Sequence, residues 1–136
     1  MFSGLLPPSS FAATGSIDFA TEIQPIFRAS CYTCHQGEKA AAGLHLDSRA
    51  ALAGGVSGRP IIPGHGKDSL ILQRLLSNDP RARMPLGTAP LAPEKIALIR
   101  AWIDQGAAWP EQAGAPKHWA YVKPERPALP KVKNAA

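Results

Sequence analysis

"RASCYTCHQG", residues 28–37, holds both cysteines of the 136-residue chain, Cys31 and Cys34, with His35 directly behind the second. Three chemistries use such a cluster. A dithiol redox motif places Cys-x-x-Cys at the start of a helix inside a βαβ pattern, and no such pattern surrounds this one. A zinc site needs four ligands; beyond these three the chain has only His45, His65, His118 or a carboxylate, and no second paired motif. Covalent haem attachment uses this spacing directly: each thiol forms a thioether with a haem vinyl group, and the adjacent imidazole reaches the iron from one side of the ring. The motif therefore points to one haem c, with Cys31 and Cys34 as attachment points and His35 as proximal iron ligand.

Composition supports a single domain that folds around something. The chain is 45% hydrophobic and 18% charged, but it carries 12 glycines and 14 prolines, so much of it is turn and loop. A flat apolar macrocycle would supply buried area that few regular elements generate alone. The net charge of +5 is a property of the tail. Of 15 basic and 10 acidic residues, five and one fall after residue 116, which leaves ten and nine in the body. Without a basic face carrying stacking aromatics, nucleic-acid binding is not expected.

No segment approaches the apolar length of a membrane span. Residues 1–16 lack the positive and apolar regions of an export signal and read as a flexible leader or cloning edge. Haem is attached to such motifs outside the cytoplasm, so the motif implies a periplasmic or otherwise extracytoplasmic location.

Helical patterns flank the motif. "DFATEIQPIFRA", residues 18–29, spaces Phe19, Ile23, Ile26 and Phe27 along one helical face, with Asp18 or Ser16 as cap and Pro25 predicting a kinked or short helix. "LILQRLLSND", residues 70–79, predicts a helix capped by Asp68 and Ser69, with Leu70, Leu72, Leu75 and Leu76 as its apolar positions and its end before Pro80. "LAPEKIALIRAWIDQGAAWP", residues 91–110, is the clearest helix. Pro93 suits the first position, Glu94 the positive end of the dipole and Gly106 the C-terminal cap. Its stripe of Ile96, Ile99, Trp102 and Ile103 needs a partner, and Phe19, Ile23 and Phe27 are the candidates. Between the first two helices the chain is rich in Gly and Pro; a hairpin pairing Leu44 and Leu46 with Ile61 or Ile62 is the one extended element its pattern allows. Residues 111–136 repeat proline every few positions and read as a Pro/Lys-rich linker towards a further domain.

Met84 is the only methionine besides the initiator and stands in the proline-bounded loop "RARMPLG", residues 81–87, with no apolar stripe around it. A thioether is a soft neutral ligand that favours ferrous iron, which makes Met84 the leading distal ligand; His65 and His45 are its rivals. The alternative for Met84 is ordinary core filling. Trp102 is expected to pack helix against helix, with the haem edge within its possible reach. Arg59, Arg74, Arg81 and Arg83 are candidates for the haem propionates, Arg59 and Arg74 foremost, because a guanidinium forks onto a carboxylate. Tyr32 and Thr33 are spacers.

A helix leading into Cys-x-x-Cys-His, a later Met-Pro loop and a final helix with an aromatic resemble class I cytochrome c over residues 17–110. The order "IQPIFRASCYTCHQG", "GLHLDSRAALAGG", "PGHGKDSLILQRL" and "RMPLGTAPLAPEKIALIRAWIDQGAAWP" is similar to the planctomycete-type cytochrome c domain, found N-terminally in large exported proteins. The resemblance implies an all-α cytochrome c-like fold, three to four short helices wrapped around one covalent haem. It assigns thioethers to Cys31 and Cys34, the proximal ligand to His35 and the distal ligand to Met84. Phe27, Ile62, Leu75, Pro85 and Trp102 are further candidates for the haem pocket. His65 departs from the family pattern, which leaves a histidine-ligated form open. The function implied is an electron carrier rather than an enzyme, working with a redox partner protein or a downstream domain of the same native chain. A peroxidase-like enzyme or a haem sensor would instead need a histidine or an open position on the distal side of the iron.

Overall fold

The computed structural model describes residues 15–111. The leader and linker expected at the two ends lie outside the described residues except at their inner edges.

The first helical stretch begins at Asp18, whose carboxylate accepts from the Thr21 amide at 2.8 Å and the Thr21 hydroxyl at 2.7 Å. Glu22 returns the contact by accepting from the Asp18 amide at 2.8 Å, so the first donors of the helix are satisfied reciprocally. A π-helical turn, Phe19–Ile23, then passes into α1, Gln24–Ser30, with Pro25 in its first turn. Proline has no N–H to offer the preceding turn, and there the Gln24 amide reaches back five residues to the Phe19 carbonyl. The expected irregularity at Pro25 thus takes the form of a widened turn ahead of a short α-helix.

Two further helices follow: α2, Leu70–Leu75, and α3, Pro93–Asp104. Short 3₁₀ turns, Ala41–Gly43, Arg49–Leu52 and Gly66–Asp68, punctuate the loops. Among the described residues there is no strand, only an isolated bridge between Gly55 and Gly58. The architecture is all-helical, as expected, but the hairpin between Leu44/Leu46 and Ile61/Ile62 does not form. The backbone groups involved are committed elsewhere. Leu46 donates to the His35 carbonyl, the Ile62 amide donates to Ser69 Oγ, and the carbonyls of Arg59 and Pro60 accept from Leu70 and Ile71. Alternation of Leu44, His45 and Leu46 reflects a chain wrapping back over the Cys-x-x-Cys-His turn.

The caps of α2 also differ from expectation. Ser69 stands at the N-cap, but its hydroxyl makes no capping bond. Wholly buried, it donates to the His65 carbonyl and accepts from Ile62, both at 2.9 Å, so it ties the preceding loop together instead. Leu72 and Leu75 are buried, whereas Leu76 ends the helix exposed.

The core sits between the first helical stretch and α3. Phe19, Ile23 and Phe27 meet Ile99, Trp102 and Ile103, all buried, as the two apolar stripes demand. Phe27 meets Trp102 edge-on with ring centroids 6.1 Å apart, and Phe19 lies 5.5 Å from Trp102. Beyond α3 the chain reverses through Gly106 (φ 105°) and Ala107 (φ 50°), with the Ala107 amide returning to the Trp102 carbonyl at 2.9 Å. Glycine takes that left-handed turn at no steric cost, and this is the cap the sequence predicts. The reversal brings Trp109 back to stack on Phe19 at 4.2 Å, closing an aromatic quartet of Phe19, Phe27, Trp102 and Trp109.

Candidate functional site

α1 ends in the motif. The amides of Cys31 and Tyr32 both donate to the Phe27 carbonyl, and those of Cys34 and His35 to the Cys31 carbonyl, so residues 31–35 form one more turn below the helix. The following loop folds back and locks it. Ala41 donates to the Cys34 carbonyl at 2.7 Å, Leu46 to the His35 carbonyl at 2.9 Å, and the Asp47 carboxylate accepts from the Gly37 amide at 3.1 Å.

His35 is oriented by the same loop. Its Nδ1 lies 3.2 Å from the Ala41 carbonyl oxygen, which can only accept, so in the neutral ring the proton sits on Nδ1 and Nε2 keeps a free lone pair. This is how a second hydrogen bond fixes the tautomer of a metal-binding imidazole.

Both cysteines are free thiols. Cys31 is half-buried against the core while Cys34 is exposed. Burial, helped by the neighbouring Cys34, pushes the Cys31 thiol up to about 11. A dithiol oxidoreductase needs the reverse, a thiolate stabilised near neutral pH, so the geometry gives no support to that reading. Nor does it support zinc: among the described residues no three His, Cys, Asp or Glu side chains come together as a possible metal cage. Two unpaired thiols three residues apart and an imidazole with Nε2 left open are the donor set that covalent haem requires.

Met84 is half-buried at the edge of the core, in a loop held to α2 by its own amide, which donates to the Arg74 carbonyl at 3.0 Å. The Met84–Pro85 peptide is cis. The rivals are placed differently. His45 is half-buried in the loop that locks the motif, and His65 points largely to solvent with its Nδ1 3.9 Å from Asp68. Of the other expected pocket residues, Phe27 and Trp102 are wholly buried in the aromatic quartet, Leu75 is buried on α2, and Ile62 and Pro85 are half-buried. Arg59 is exposed and Arg74 half-buried.

Two residues stand out in the structure more than the sequence suggests: Trp109, which had no role assigned, and Arg83, one of four arginines named for the propionates and not the foremost. Trp109 is 5% exposed in the core, and only its place just past a glycine reversal signals this. Arg83 is half-buried with an Nε sealed from solvent.

An all-helical domain built on a Cys-x-x-Cys-His turn, with the imidazole oriented by a backbone carbonyl, is consistent with the c-type cytochromes. Residues 31–85 match the family model described as planctomycete cytochrome C, the family the sequence resembles. No curated protein and no solved structure matches the chain. No helix among the described residues is long and apolar enough to cross a membrane.

Proposed function

We propose that residues 17–110 form a haem c domain that carries single electrons for a larger extracytoplasmic protein. Cys31 and Cys34 hold the haem through thioethers, His35 is the proximal ligand and Met84 the distal one. The observation that carries the reading is the His35 Nδ1 bond to the Ala41 carbonyl, which leaves Nε2 for iron beside two unpaired thiols. The haem supplies a reversible one-electron ferric/ferrous couple.

What the chain does is hold geometry. The Ala41 carbonyl orients the imidazole and raises its basicity, while the Asp47 and Leu46 contacts keep that loop in place during the change of charge. The Arg74 carbonyl fixes the backbone of Met84, which lowers the entropy lost when a weak sulfur ligand is held in one position. A carrier of this kind needs no acid, base or substrate cleft. Its partner is a redox protein or a downstream domain of the same native chain, reached from 111–136 acting as linker.

The test is the visible spectrum of the purified haem protein in both oxidation states, for the wild type and Met84→Ala. Sulfur on ferric iron gives a weak long-wavelength band; the wild type is expected to have it. Met84→Ala loses the band, binds cyanide rapidly and has a lower midpoint potential. A wild type without the band places a histidine or an open position on the distal side and overturns the Met84 assignment.

A further inference from the structure

Arg83 poses the problem of a buried donor without an acceptor. Its Nε has no exposed surface and no hydrogen-bond partner among the described residues. A sealed guanidinium N–H without an acceptor forfeits its hydration and gains nothing in return. Its own segment offers no carboxylate. Asp79 is the sole acid from residue 69 to 93, and its Oδ1 is engaged by Arg81, whose amide donates at 2.9 Å and whose Nε lies 3.5 Å away. The Arg83 amide is tied to the Asp79 carbonyl at 2.8 Å, which fixes the backbone from which the side chain departs. Of the other arginines, Arg49 pairs with Glu111, Arg100 pairs with Asp104, Arg59 is exposed, and half-buried Arg74 has no nitrogen sealed without a partner.

We propose that Arg83 holds a haem propionate. This rests on the haem-binding reading above and moves the principal carboxylate contact from Arg59 and Arg74 to the residue beside Met84. A porphyrin carboxylate is the acceptor the site lacks, and a guanidinium matches it with a planar fork, a geometry that an ammonium cannot reproduce. Arg59, exposed to solvent, gains little from such a pair. The consequence is a loop that grips the cofactor at neighbouring residues, Arg83 at a carboxylate and Met84 at iron. Arg83 is then a positioning residue for the ligand loop as well as a compensating charge.

The experiment compares haem-loaded wild type with Arg83→Gln, Arg83→Lys and Arg59→Gln, reading the propionate bending band in the resonance Raman spectrum and the midpoint potential. Arg83→Gln is expected to shift the propionate band and lower the midpoint, because an uncompensated carboxylate favours ferric iron. Arg83→Lys restores part of the midpoint but not the band, and Arg59→Gln leaves both in place. If Arg83→Gln leaves the band where the wild type has it, or Arg59→Gln moves it instead, the assignment is overturned. Should Arg83→Gln fail to take up haem, the Lys variant decides: an unmoved band overturns the proposal. The long-wavelength sulfur band, recorded on the same samples, judges Met84 separately.

Discussion

A methyl group built on Gly66 would sit 2.7 Å from Asp104 Oδ1 and 3.2 Å from Arg100 Cγ. That oxygen also accepts the Gly66 amide at 2.8 Å, so it cannot retreat without giving up the bond. Gly66→Ala should therefore cost about 1–3 kcal/mol through overpacking, and Asp104→Ala a similar amount through the orphaned amide. Combined, the two should cost less than their sum, since removing the carboxylate makes room for the methyl; strict additivity in denaturant unfolding would show that the contact does not exist. Cys31 gives a second test at this scale. In the haem-free chain, iodoacetamide should alkylate exposed Cys34 before half-buried Cys31, with the Cys31 rate still rising as the pH approaches the 11 to which burial raises its thiol from 9.0. Because the folded value is raised, the protonated thiol's contribution to stability is complete below pH 9 and is lost as the pH rises through 11. Equal labelling of the two cysteines at neutral pH would contradict the burial of Cys31.

Among the elements, periodicity made some legible and left others hidden. The stripes of the first helical stretch and α3 declare their partners, because Phe19, Ile23 and Phe27 recur at the spacing that Ile99, Trp102 and Ile103 answer. Capping chemistry is equally local, and Asp18 and Gly106 do what their types prefer. Cys31, Cys34 and His35 were legible as a candidate site because their spacing is itself the signal, and the structure brings them together on one turn. The unformed hairpin, the hydroxyl of Ser69 and the sealed Nε of Arg83 were not, since each depends on which distant backbone group or surface arrives beside it. The helix start offers its own prediction. Side-chain and backbone hydrogen bonds from Thr21 hold the Asp18 carboxyl below its usual 3.8. A lowered folded pKa means that the contribution is present above pH 3.8 and is lost as the pH falls through the folded value. Asp18→Ala should lower the melting temperature at neutral pH, and the gap from wild type should narrow as the solution is acidified below 3.8; a gap independent of pH would mean that the charge plays no part in the cap.

At the scale of the whole molecule, the C-terminal end of α3 is where separate parts of the chain meet. The Ile17 amide donates to Gln105 Oε1 at 2.9 Å, the Gly64 amide to the Ile103 carbonyl at 2.8 Å, and the chain beyond Gly106 returns Trp109 to Phe19. The segment that matches the cytochrome family, residues 31–85, contains the motif, α2 and Met84, but neither of the two stripes that make the core. The Cys-x-x-Cys-His turn thus hangs from α1, and α1 is held by an aromatic quartet whose last member lies beyond the last helix among the described residues. Trp109→Ala should remove about 3–5 kcal/mol, the usual cost of a large aromatic truncation in a core, out of a total typically near 5–15 kcal/mol. Trp109→Phe should recover most of it: phenylalanine keeps the stack on Phe19 and removes an indole N–H that is buried without a partner. The haem spectrum at room temperature should stay unchanged in both variants, because Trp109 acts on the support and not on the proposed ligands His35 and Met84. A Trp109→Ala protein that melts with the wild type would show that the quartet closes nothing, and that residues 31–85 hold their shape without the reversal behind α3.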